Sequence, residues 1–151
     1  MILEVDTLNK TLRFNILHLI LWSLVSVAFL WVFLEFDAIS NWGDNALKSI
    51  LLALFFVVGF GGDLILRFKF KLNRNETEAD GLSDSLRLKA MESSYIATLL
   101  YIFIAAISIY IRYEDSGLVP VGWLWFIAYS LILVVNIASS LAILIMHHKN
   151  K

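Results

Sequence analysis

A chain of 151 residues is one domain by length. With 60% of its residues hydrophobic and a mean hydropathy of +0.78, lipid rather than water is the solvent for most of it. Its 12 basic and 13 acidic residues leave a net charge of −1, which supplies no field for nucleic acid, and the absence of cysteine excludes disulfides, thiolate nucleophiles and cysteine-ligated metals.

The first residues, MILEVDTLNKTLRFN, place Glu4 and Asp6 ahead of the first apolar run with no small-residue cleavage site behind it, so no signal peptide is expected. Ile2, Val5, Leu8 and Leu12 recur at three or four residues, the spacing of a helix with one apolar stripe. This predicts a short interfacial N-terminal helix, with a frayed terminus as the alternative. A hydrocarbon core about 30 Å thick calls for roughly 20 apolar residues of helix, and the segments 14–34, 46–66, 94–111 and 121–146 meet that requirement.

Between the first two segments, EFDAISNWGDN suits a tight turn made negative by Glu35, Asp37 and Asp44. Segment 67–93 is the longest connection and contains Arg67, Lys69, Lys71, Arg74, Arg87 and Lys89. Within it Ser83 is placed to cap a helix that runs on through DSLRLKAMES, so the third span is expected to extend beyond the bilayer. The last two segments are joined by RYEDSGLVPVG, whose Pro120 sits near a helix start, where its missing N–H costs nothing. Lys10, Arg13, Lys149 and Lys151 fall on the same side as the 67–93 loop. This positive-inside bias predicts that both termini and the loop are cytoplasmic, with Trp42, Trp123 and Trp125 at the outer ends.

A backbone in lipid must satisfy its own hydrogen bonds, and the alternating pattern of a barrel is absent. The expected fold is therefore an all-α membrane protein, a bundle of four transmembrane helices forming a single domain over residues 1–151.

Polar groups inside a bilayer are costly, so they are candidates for function. Counting along each span puts His18 about 9 Å from the span centre on the cytoplasmic side, with Asp63, Thr98 and Ser140 at nearly the same level. Asn136, nearer the middle of its span, shares a helix face with Ser140. Together these five predict an intramembrane polar layer, binding or structural. In the motif GFGGDLILR, Gly59, Gly61 and Gly62 remove side chains and let another helix approach closely. Asp63 then has two readings. It forms a titratable pair with His18 that binds a cation or relays a proton, or it pairs with Arg67 one turn along its own helix. Membrane-proximal Arg67, Lys69, Lys71 and Arg74 suit contact with anionic lipid heads.

A haem held by His18 and His147 fails because the two lie at different depths, so no cofactor is expected. No nucleotide loop, metal-binding histidine pair or serine elbow is present, and neither catalytic residues nor a metal site is expected. The aromatic residues Phe55, Phe56, Phe60, Tyr101 and Phe103 show no pattern beyond lipid contact and interface anchoring.

The stretch ETEADGLSDSLRLKAMESSYIA, an acidic segment leading through LRLKA into the third span, resembles that of small four-span bacterial inner-membrane proteins of uncharacterised function. The resemblance implies a bacterial inner-membrane location and assigns no residue roles. Besides the bilayer, the expected partner is a membrane protein or a second copy of the chain. The function expected is that of a small accessory or regulatory protein acting by protein–protein interaction; the alternative is an oligomeric transporter or channel subunit using Asp63.

Overall fold

The computed structural model describes residues 2–43, 46–70 and 81–149, with side chains over 10–43, 46–70 and 88–148. Four helices account for nearly all of it: α1 (Ile2–Glu35), α2 (Ala46–Lys69), α3 (Gly81–Tyr113) and α4 (Gly122–Lys149). No strand occurs among the described residues. All four helices are long and apolar enough to cross a membrane. Even α2, the shortest at 24 residues, spans about 36 Å at 1.5 Å per residue. This is the make-up of a multi-pass membrane protein.

Two helices run well beyond their apolar spans. Residues 2–12, expected as a separate interfacial helix, continue into the first span without a break, because no glycine or proline interrupts the chain from Ile2 to Glu35. Likewise α3 is one helix from Gly81 into the third span. It begins two residues earlier than the expected cap, so Ser83 lies in its first turn.

The C-terminus of α1 is closed by a specific device. Ala38 N–H donates to Phe33 O (3.1 Å) and Asp37 N–H to Leu34 O (3.3 Å), the paired bonds of a Schellman cap. Asp37 occupies the left-handed position, at φ 41°, that glycine usually fills. Its carboxylate accepts from Ser40 Oγ (3.3 Å) and Asn41 Nδ2 (3.2 Å), so a residue strained in its backbone is fixed through its side chain. The buried pair Ala38 and Phe33 supplies the apolar contact that accompanies this cap.

Lys48, fully buried, donates to Asn41 O and lies 5.7 Å from the centroid of Trp42, whose ring stacks on Trp125. The α1–α2 turn is thereby held against the start of α4. A Cβ at Gly122 would strike the carbonyl oxygens of Ala38 and Ile39, so the helix can begin there only without a side chain.

In the packed molecule α1 lies between α2 and α4, and α3 leans on the other flank of α4. Among the buried positions of α1, Asn15, His18, Trp22, Val25, Phe29 and Val32 are spaced alternately three and four apart like a coiled-coil seam, with Phe33 buried beside its end. Against them pack Leu52 and Phe56 of α2 and Phe126, Tyr129 and Leu133 of α4. Rings make much of this core, with Phe29 at 5.4 Å from Phe126 and Phe56 at 5.0 Å from Tyr129. The expectation that Phe56 serves only lipid contact is thus overturned: it is buried at the junction of α2 and α4. Tyr101 also turns inward, its hydroxyl bonded to Ser130 Oγ, while Phe103 stays exposed as expected.

Candidate functional site

His18 enters the site because it falls on the buried seam of α1, four residues before Trp22. Its ring is 4% exposed. Three helices converge on it. From α4, Ser140 Oγ lies 2.6 Å from Nδ1. From α2, the Asp63 carboxylate brings Oδ1 to 3.3 Å from Nε2. From α1 itself, Trp22 Nε1–H donates to Nε2 over 3.0 Å. Phe14 stacks on the imidazole one turn before it, and Phe70 lies edge-on to Phe14.

Asp63 is held from both sides. Arg67, one turn on, donates from Nε to Oδ2 at 2.9 Å while most of its own side chain stays exposed, the acid-before-base order that a helix favours. The pair with His18 and the pair with Arg67, two alternatives in the sequence, therefore coexist on different oxygens. Oδ1 is buried and has no hydrogen-bond partner.

The glycines of α2 do not act alike. Gly59 faces the six-membered ring of Trp22, where a Cβ would sit 3.2 Å from the ring atoms. It leaves the space that the indole needs to reach His18. Gly62 receives Leu21, whose Cδ2 would be 2.8 Å from an added Cβ, whereas Gly61 has nothing within 4 Å. The close approach thus admits side chains of α1 at Gly59 and Gly62 only.

No family model, curated protein or solved structure matches the chain. Residue roles at this site come from its geometry alone.

Of the five polar residues expected to form the layer, the fold brings together His18, Asp63 and Ser140. Thr98 does not join them: it donates to Ser94 O on its own helix (2.7 Å), and α3 lies beyond α4. Asn136 likewise donates to Ile132 O (2.7 Å), and Ser139 to Asn136 O. Lys69 is exposed at the end of α2 near Arg67, while Lys71 and Arg74 lie outside the described residues. Among the described residues no cluster of three or more metal-binding side chains forms.

Sequence reasoning missed Trp22, which supplies the donor to Nε2. The signal was its position four residues after His18, a spacing at which side chains on one helix face meet. It also missed the outer polar contacts of α3 with α4, where Trp123 Nε1–H donates to Tyr113 Oη at 3.0 Å.

Proposed function

We propose that this chain is an accessory or regulatory protein of a bacterial inner membrane, with both termini and the 67–93 segment in the cytoplasm, acting by holding another membrane protein through its spans. The observation that carries this reading is the position of α3. In its spanning stretch only 6% of residues are buried, against 33% in α1, and it packs on α4 alone. The contact stripe is made largely of small residues, Ala90, Ser94, Ala97 and Ala105, which favour close helix approach in lipid. The opposite side presents Leu99, Ile102, Phe103 and Ala106 as an exposed apolar face with a shallow groove. A helix fixed on one flank with its other faces open suits docking to a second protein. The basic residues of the 67–93 segment support the orientation.

Purification in mild detergent followed by mass spectrometry tests this. A foreign membrane protein in fixed ratio is expected, lost when Ala106→Trp fills the exposed groove while the chain itself accumulates normally. A chain recovered only with copies of itself would overturn the reading. It would favour the second one, an oligomeric transporter or channel subunit, for which the orphan oxygen of Asp63 is the specific support. In that case Asp63→Asn abolishes flux and leaves assembly intact.

A further inference from the structure

The His18 ring contains a contradiction that one proton resolves. Nε2 has a single in-plane position for a hydrogen or a lone pair, yet it is approached by a donor, Trp22 Nε1–H at 3.0 Å, and by an acceptor, Asp63 Oδ1 at 3.3 Å. With the ring neutral and its proton on Nδ1, the Nδ1–H donates to Ser140 Oγ and Nε2 accepts from Trp22. Asp63 Oδ1 is then a buried carboxylate oxygen with no donor, as observed. A buried carboxylate oxygen left without a donor is disfavoured. A proton added at Nε2 reverses the pattern: Nε2–H donates to Oδ1 and the indole N–H is released.

We infer that His18 and Asp63 form a proton-binding site, in which uptake of one proton transfers Nε2 from the indole of Trp22 to the carboxylate of Asp63. One proton enters from water, no other bond breaks but the Trp22–His18 hydrogen bond, and the cluster gains one positive charge. The groups that face the ring among the described residues come from three helices. Asp63 and Arg67 come from α2, Ser140 from α4, and Phe14 and Trp22 from α1. The nearby amide of Asn15 is turned away to Thr11 O (2.8 Å). Among the described residues no group of α3 takes part, since α3 packs on neither α1 nor α2. Arg67 keeps Oδ2 engaged in both states, so only Oδ1 is free to take the new donor. The site needs neither a partner nor a transported solute, so its failure and the failure of the proposed function are separable.

The chain has three histidines, and His147→Gln with His148→Gln leaves His18 as the only one. In this background, 15N-histidine and 15N-indole spectra of the detergent-solubilised chain are recorded across about pH 4 to 9, the range in which imidazoles titrate. The expected result is a second ring proton appearing on His18 as the Trp22 Nε1–H signal shifts, both with one midpoint. Asp63→Asn, which keeps shape but removes the charge, is expected to weaken proton binding about tenfold. Trp22→Phe, which removes the competing donor, is expected to strengthen it. A ring that stays in one state across the range, or a Trp22 signal that ignores it, overturns the inference, and this measurement, with His18, Asp63 and Trp22 all intact, decides even if Asp63→Asn or Trp22→Phe fails to fold. A midpoint that shifts when sodium replaces choline would also overturn it, by assigning Oδ1 to a metal cation.

Discussion

Ser140 shows how a single hydroxyl can be worth more for what it prevents than for what it contributes. Interhelical hydrogen bonds in membranes average about 0.6 kcal/mol, because the separated helices find other partners. Removing one partner of a buried pair, however, strands the other, at about 1–3 kcal/mol. Ser140 is 1% exposed against His18 Nδ1, so Ser140→Ala should cost toward the upper figure. Equilibrium unfolding in mixed micelles measures this; a loss of a few tenths of a kcal/mol would mean that water replaces the hydroxyl. Glycines give a second contrast on the same assay. Gly61→Ala meets nothing within 4 Å and should be neutral or stabilise by up to about 1 kcal/mol, as alanine does in a helix. Gly122→Ala drives a methyl into the backbone carbonyls of Ala38 and Ile39, which cannot rotate away, and should cost more than about 2 kcal/mol. At this scale the sequence was partly legible. Counting residues gives depth, which was enough to put His18, Asp63 and Ser140 at one level. It gives no bearing around the helix axis, which is why Thr98 at that level and Asn136 nearer the span centre were grouped with them while bonding to their own helices.

Elements were the most legible scale, because lipid leaves the backbone no choice but helix and the apolar runs mark where helices must be. Their ends were less so. The stop of α1 after Glu35 depends on Asp37 entering the left-handed region, and aspartate declares that ability less clearly than glycine. A β-branched residue there lacks both the conformation and the two side-chain bonds. Asp37→Val should therefore destabilise by about 1–2 kcal/mol or more, and Asp37→Gly should recover most of the loss by removing the strain. Thermal unfolding followed by circular dichroism would distinguish them; equal losses would place the value of Asp37 in its carboxylate alone. The packing of the elements was not readable at all. Phe56 and Phe103 look alike in sequence, yet one fills the core and the other faces outward, since in lipid a buried face and an exposed face are both apolar.

For the molecule as a whole, the arrangement of four crossings fixes which segments share a side, and charge decides which side that is. An even number of spans puts the start of α1, the 67–93 segment and the end of α4 together, with the turns around Asn41 and Ser116 opposite. Arg67 and Lys69 stand at the first face, while Asp37, Glu114 and Asp115 stand at the second, a polarity that the translocation machinery reads through the basic residues. The absence of cysteine makes the orientation directly measurable, because any introduced thiol is the only one. Ser116→Cys, on an exposed turn, should react with a membrane-impermeant maleimide on intact cells, whereas Asn75→Cys should react only after lysis. The reverse pattern would invert the proposed orientation and put the His18–Asp63 site, with its exposed Arg67, at the external face. Its proton would then come from the other compartment. The labelling result therefore determines which compartment's pH the imidazole senses.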